Sequence, residues 1–525
     1  MIALKRNVSI FLVSLFLLWV ISNGKFEATI RYGMAANTSQ RILHVPSNFT
    51  SIQAAIDNAS SGDTIIVAPG TYSEALSISK SLTVIGEDRE TTIIDGSGVG
   101  DTFSIKSDNV NIRELTVMNS ATSTRNNGIV IDHCRGISVN STRIISTDYA
   151  LSLSFCYVSM FSNNLLFNNS YGIQLINTIS NVFSNNTILG NGEGIALDYL
   201  NNYNVFFGNT FLDNSEGAAI RQSSFGNSFY HNNFLDQIIV ETGQANLWSR
   251  NGEGNFWSSY DGNDSYSGPF QNETGSDGIG DEPYILSGEE NKDAYPLMGV
   301  FSEFNVVQQN ETYLVNIVSR SMILNFKFET GRETGDRIIA FNAGGESSTT
   351  GFCRIMIPTQ LMDYPFTVVT NQGQANQSLL DASNKTNAYL YFTYLDGNQT
   401  ITIVSSNALR LYNSLLDKYN GLQTDFDTLN MTYQELLESN NSTLQALLSN
   451  LGLMLQNLTQ LQNSYLDLNS SLQQNLRQQT DSVQNMRNFT YVFAAMTGAF
   501  LITTFYLSAR IHSSKKPKVP ISELS

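Results

Sequence analysis

The chain has 525 residues, room for two or three domains, and its 46 Asp and Glu exceed its 29 Lys and Arg by 17. That balance argues against a nucleic-acid partner, which needs a basic footprint. Aromatic residues reach 11% while charged residues stay at 14%, so a core can be buried and global disorder is disfavoured.

Lys5 and Arg6 precede an apolar run from Val8 to Ile21 and then the polar SNGK. This is signal-peptide anatomy, and residues 1–24 are read as a signal peptide; an uncleaved N-terminal anchor is the alternative. Beyond it, Ile52, Ala55 and Ile56 form an apolar stripe at helical spacing, which predicts a short helix. TIIV, LSIS, LTVIG and TIID follow as strands, and the helix is placed to cover their open end.

From Asn127 the chain repeats itself every 22 or 23 residues: Asn127-Gly128, Tyr149-Ala150, Tyr171-Gly172, Glu193-Gly194 and Glu216-Gly217. A period of that size calls for a solenoid. Within each unit apolar residues alternate, as in Ile173 and Leu175, and two shorter apolar bursts follow. Three short strands per unit describe one coil of a parallel β-helix. Val139, Phe161, Phe183, Phe206 and Phe229 share one repeat position; Ile144, Leu166, Ile188, Phe211 and Phe234 share another. Stacked about 4.8 Å apart, each set becomes a ladder in the core. Asn164, Asn186, Asn209, Asn232 and Asn255 form a third file, read as structural. A stacked amide can bond both the backbone at a tight bend and the next amide, and Asn tolerates left-handed backbone there.

The phrases SIQAAIDNASSGDTIIVAPGTYSE and ISKSLTVIGEDRETTIIDG, with GNFWSSYDG, GSDGIGDEPYIL and KDAYPLM downstream, carry a family resemblance. The stretch from about residue 41 to 300 resembles NosD-like right-handed β-helix proteins of the pectin-lyase-like superfamily. The resemblance implies the fold. It implies no single activity, since the superfamily holds lyases, hydrolases, epimerases and non-catalytic binders. The family's name implies an accessory role for a copper enzyme. Yet His44, His133 and His231 are scattered in sequence and no methionines cluster, a poor donor set for copper.

The resemblance to pectin-degrading relatives implies paired Asp-Asp, Gly-His-Gly and Arg-Ile-Lys motifs, and none occurs. Asp132 and Asp198 share a repeat position but stand three coils, roughly 14 Å, apart, too far for a glycosidase pair. No catalytic residue is therefore assigned. The candidate ligand-binding residues are Tyr149, Tyr171, Glu193 and Glu216, which occupy one turn position on successive coils. Two stacked tyrosines would offer a sugar ring a flat face, and the two glutamates would lie about 5 Å apart. The alternative is an exposed corner whose side chains point to water. Cys134 and Cys156 lie one repeat apart and are read as stacked free thiols, Cys353 as a core residue.

DGNDSYSGPFQNETGSDGIGDEPY gathers Asp261, Asp264, Asp277 and Asp281 among glycines, as calcium loops do, although Gly275 stands where a ligand is wanted. These four are candidate ligands of a structural calcium; the alternative is a plain acidic loop closing the coil. No other cofactor is read.

Residues 303–406 read as seven or so short strands with regular turn signals, resembling an Ig-like β-sandwich. Then Tyr412, Leu415, Tyr419, Leu422, Phe426, Leu429, Tyr433 and Leu436 step by three and four, and Leu444, Leu447, Leu451, Met454, Leu458, Leu461, Tyr465, Leu468 and Leu472 resume after SNNST. This predicts a coiled-coil stalk over 409–488, either a rod of roughly 110 Å or a hairpin folded at SNNST. Phe489 to Ala509 carries no charge and could span roughly 30 Å; Arg510 and three lysines follow, placing the tail 510–525 in the cytoplasm. Sequons such as Asn48, Asn140, Asn310, Asn384 and Asn430 suit an extracellular glycoprotein.

The resulting expectation is a mainly β chain: a right-handed parallel β-helix (41–300), the sandwich, the stalk and one C-terminal transmembrane helix. It would sit in the cell membrane and display a carbohydrate- or envelope-binding solenoid, with a homo-oligomer through the coiled coil as a further partner. The alternatives are a tethered polysaccharide-modifying enzyme and an accessory protein for a copper enzyme.

Overall fold

The computed structural model describes residues 40–513 apart from 99, 120–125, 222, 241–244, 289, 346–349, 396–397 and 440–443. Residues 1–24, expected as a signal peptide, and residues 514–525 lie outside the described residues. Three long sheets of nine, eight and nine strands run along the first half of the chain, and each coil adds one strand to each sheet. The pairing is parallel throughout, as in Tyr149–Ser154 against Tyr171–Ile176 and that strand against Glu193–Tyr199. This is a parallel β-solenoid. Helix α1 (Ile52–Asn58) buries Ile52, Ala55 and Ile56 over its first coils. Ser51 caps that helix by accepting from Ala54 N, and the Glu74 carboxylate accepts from Ile52 N and Gln53 N at 2.9 Å each.

Like residues stack because a constant coil length returns each repeat position to the same place. Phe161, Phe183, Phe206 and Phe229 are buried with ring centroids 4.9, 4.8 and 4.6 Å apart, and Trp248 continues the stack at 4.5 Å. Phe211 and Phe234 start a second stack that passes to Trp257 and Tyr284. Each such contact adds about 0.5–1.5 kcal/mol beyond area burial. Gly172 and Gly194 sit where any Cβ would run into the backbone carbonyl of the next coil, which explains the glycines of the repeat.

The asparagine file is continuous. Each rung's Nδ2 donates to the Oδ1 of the next, at 3.0 Å from Asn164 to Asn186 and 2.9 Å from Asn186 to Asn209, Asn209 to Asn232 and Asn232 to Asn255. Two further files were not recognised in the sequence: Asn169, Asn191 and Asn214 at one bend, and Asn181, Asn204, Asn227 and Asn246 at another. The closing strand Asn291–Asp293 supplies the last rung of two files. Asn291 Oδ1 accepts from Asn246 N at 3.1 Å, and Asp293 Oδ2 accepts from Asn255 N at 2.7 Å and Trp257 Nε1 at 2.9 Å. The segment that closes the solenoid therefore does so by satisfying the ladders.

Two sandwich-like five-stranded sheets follow, ten strands rather than about seven. The extra ones are short, such as Gly373–Gln374 and Gln377–Leu379, and carry no alternating pattern to betray them. The sandwich is tied to the solenoid within one compact unit. Asn233 brackets Phe301, accepting from its N at 2.8 Å and donating to its O at 2.9 Å, while the His231 ring stacks on Phe301 at 4.2 Å.

A second unit holds residues 330–338, 364–366 and 404 onward. Its helices are α2 (Asn407–Ser439) and α3 (Leu444–Ser513). The rod expectation is corrected here: the Tyr412 and Tyr465 hydroxyls are 2.9 Å apart, and Tyr419 also stacks on Tyr465. On one straight helix residues 412 and 465 would stand about 80 Å apart. The apolar seams of the two helices instead face each other within one chain, and the described seam residues are half-buried while most of their neighbours are exposed. Among the described residues no helix is long and apolar enough to cross a membrane. Helix α3 runs through 489–509, but most side chains of that stretch lie outside the described residues.

Candidate functional site on the solenoid's lateral face

Strand register places Asn127, Tyr149, Tyr171, Glu193 and Glu216 in one file on the eight-stranded sheet. Tyr149 and Tyr171 stack with centroids 4.6 Å apart and planes 7° from parallel. Tyr149 is only 7% exposed, however, so the pair is not an open platform; Tyr171, half-buried, is the ring that reaches the surface.

The glutamates are organised by a residue the repeat does not announce. Arg221 grips Glu193 with two parallel bonds, Nη1 to Oε1 at 2.9 Å and Nη2 to Oε2 at 3.0 Å. It also meets Asp198 Oδ1 at 2.8 Å and stands 3.9 Å from Glu216. Asp198 Oδ2 accepts from Gln174 Nε2 at 2.8 Å. Burial pushes the Glu193 carboxyl above its ordinary range, with Arg221 pulling the other way, and Arg221 is held all the more firmly charged. Glu193 and Glu216 thus both face one guanidinium, bonded to Glu193 and 3.9 Å from Glu216.

The shared position of Asp132 and Asp198 is also corrected. The file of Asp132 runs through Ser154 and Ile176 to Tyr199, and Asp198 is the bulged residue beside it. The repeat lengthens from 22 to 23 residues at that coil, a signal legible in the sequence. The extra residue swings a carboxylate toward Arg221. Asp132 bonds His133 Nδ1 instead, at 2.7 Å.

In the acidic loop the aspartates meet backbone N–H groups. Asp264 accepts from Asp277 N and Gly278 N at 2.9 Å each; Asp281 accepts from Ser265 N and Tyr266 N. Asp277 accepts from Ile279 N and Gln271 Nε2, and Asp261 is exposed. Among the described residues no three His, Cys, Asp or Glu side chains converge to hold a metal. Asp264, Asp277 and Asp281 thus bond loop backbone, a role to which an Asp-rich turn is suited. Burial pushes Asp264 up to about 7, against its two backbone bonds and with Asp277 and Asp281 nearby. A carboxyl whose folded pKa is raised favours folding below about 3.8, and that contribution is lost as pH rises through about 7. Limited proteolysis within 261–281 should therefore be faster at about pH 8.5 than at pH 6, and Asp264→Asn should flatten the difference. An unchanged slope in the variant would contradict this.

Known proteins show what this region is similar to. Residues 56–262 match the family model described as periplasmic copper-binding protein (NosD). The solenoid is NosD-like. A curated cell surface glycoprotein of Methanothermus fervidus is 32% identical over 115 residues, which span 21% of this chain and 18% of that protein. An alginate lyase from Paenibacillus sp. FPU-7 is similar at 14% identity and a TM-score of 0.34, covering 42% of this chain and 96% of its own. The pectin methylesterase PemA from Erwinia chrysanthemi gives 12% identity and a TM-score of 0.23, covering 41% and 94%. Likenesses so distant carry no inference about activity.

The residues of this NosD-like solenoid do not fit copper. Its cysteines are free but buried, and burial pushes Cys134 up to about 11 and Cys156 up to about 12, far from the thiolate a soft metal needs. Their thiols donate to the carbonyls of Asp132 and Ile131. His133 pairs with Asp132 and His231 with Glu253, so the histidines do not gather.

Proposed function

We propose that this is a membrane-anchored cell-surface protein whose solenoid presents a carbohydrate- or envelope-binding lateral face, without catalysis. The observation that carries the reading is the cluster of Gln174, Asp198, Arg221, Glu193 and Glu216 beside Tyr171, spread over adjacent coils of one sheet face. Amide, guanidinium and carboxylates spaced by one coil form a fixed array of donors and acceptors suited to a chain of hydroxyls. Because Arg221 binds both oxygens of Glu193, the site lacks a free carboxyl pair of the kind glycoside cleavage requires. The likeness to a cell surface glycoprotein supports the location. The uncharged stretch Phe489–Ala509 and the basic residues after it support a single-pass anchor with the tail inside. The helical hairpin covers its own seam, so an oligomer is not required to bury it.

The test is binding of the full chain to an array of envelope polysaccharides. Gln174→Ala and Tyr171→Ala together should weaken the strongest signal about tenfold, the loss of one or two good hydrogen bonds and a ring contact. Equal signals from variant and wild type would sink the assignment.

A further inference from the structure

A second polar site lies away from that face, where the first sandwich strand (Val300–Gln308) leaves the solenoid. It is a cleft of about 340 Å³, within the range of small-ligand sites. One wall is a bend of the solenoid with Asn185, Thr187 and Thr210; the other carries Ser302, Glu303 and Phe304. Asn185 Nδ2 donates to Glu303 Oε1 across the cleft at 2.9 Å. Asn185 has a left-handed backbone, and the next position in its file is Gly208, where any Cβ would collide with the Asn185 side-chain oxygen. The glycine therefore makes room for that amide. The far wall is held in place as well. Phe301, at its root, is bonded on both sides by Asn233, and Phe304 is backed by Phe326 at 4.2 Å in a near-parallel stack.

The lining chemistry selects the ligand. None of the residues lining the cleft is Lys or Arg, so an anion finds no countercharge. The single carboxylate is already engaged by an amide, and no second one stands beside it to cage a cation. What remains is a set of amides and hydroxyls, able to donate and accept, beside the rings of Phe301 and Phe304. That set is complementary to a neutral ligand whose hydroxyls do the same and whose C–H face packs on a ring. We propose that this cleft is a binding site for a neutral saccharide of one or two rings, separate from the lateral face and independent of its function. The site is preformed by the junction, which lowers the ordering cost of binding.

The full chain, produced in a host that does not N-glycosylate, would be titrated with the methyl glycosides of glucose, mannose, galactose and N-acetylglucosamine by ligand-observed NMR. Saturable binding of at least one is expected. Thr187→Val with Glu303→Gln should weaken it at least about tenfold, and Thr210→Val alone should weaken it measurably if the double variant fails to fold. Gln174→Ala, on the other face, should leave it unchanged. Absence of binding by all four glycosides, insensitivity to the cleft variants, or loss in Gln174→Ala would overturn the site. So would a glycan attached to Asn185 in natively produced protein, because that residue heads an Asn-Asn-Thr sequon and its own glycan would then fill the cleft.

Discussion

Replacing Glu253 by alanine is expected to destabilise the chain by roughly 3–5 kcal/mol and to lower its melting temperature by on the order of 10 °C. Glu253 stands at the junction of solenoid and sandwich. Its Oε1 accepts from Arg354 Nη2 at 2.7 Å and Nε at 3.1 Å, and its Oε2 lies 2.7 Å from His231 Nε2. Arg354 comes from the sandwich and is 5% exposed at its side chain; its Nη1 donates to Asp277 O, and its guanidinium lies over the Tyr389 ring. Removing the carboxylate leaves that guanidinium buried with only the more distant Asp277 side chain, 3.8 Å away, for charge. The penalty is the stranded charge more than the lost bonds. Replacing the pair together, Glu253→Met with Arg354→Leu, should recover most of the loss.

The pH dependence gives a second readout. Burial alone would push the Glu253 carboxyl up, but Arg354 and His231 hold it at about 2. A lowered folded pKa means the group favours folding above about 4.5 and loses that contribution as pH falls toward about 2. The gap between wild type and Glu253→Ala should therefore be widest near neutrality and shrink in strong acid. Urea unfolding at about pH 7 and about pH 2.5 checks this, and a loss under ~1 kcal/mol at neutral pH would refute the buried-pair account.

How far the sequence reveals this molecule depends on whether a contact recurs. The Phe and Asn files repeat at constant spacing, so each rung corroborates the others and the solenoid can be read without coordinates. Contacts made once leave no such trace. Arg221 lies 28 residues from Glu193 and belongs to no file of like residues, and Arg354 lies 101 residues from Glu253, on a sandwich strand. Only the one-residue lengthening of the repeat at Asp198 hinted that the lateral face was locally rearranged. The heptad stretch shows a different limit. A heptad seam states that an apolar stripe needs a partner, but a partner in the same chain satisfies it as well as one in another. The acidic loop shows a third: carboxylates among glycines serve backbone turns and calcium alike, and the sequence does not say which N–H groups they meet.

The asparagine files allow a prediction sharp enough to test the solenoid itself. Asn209 is fully buried. Its Nδ2 donates to Phe183 O and Asn232 Oδ1, both at 2.9 Å, and its Oδ1 accepts from Asn186 N at 3.0 Å and Asn186 Nδ2 at 2.9 Å. Asn209→Ala deletes all four bonds and strands a backbone N–H and a backbone carbonyl in a place water cannot reach. At about 1–3 kcal/mol for each unsatisfied group, the loss should be roughly 3–5 kcal/mol. Asn209→Asp is the more telling substitution, because it keeps the shape. Its one oxygen can still accept from Asn186, but the other faces Phe183 O and Asn232 Oδ1, acceptor against acceptor, and carries a buried charge. At neutral pH the aspartate variant should therefore be less stable than the alanine one. On acidification a protonated carboxyl regains a donor, so its stability should rise where the alanine variant's does not. Coils two or more away should be little affected, since stability in a stacked repeat is set by nearest neighbours. Hydrogen exchange resolved by coil would show protection lost around Phe183, Asn186 and Asn232 first, and uniform protection in Asn209→Ala would mean the amide ladder does not hold the bend.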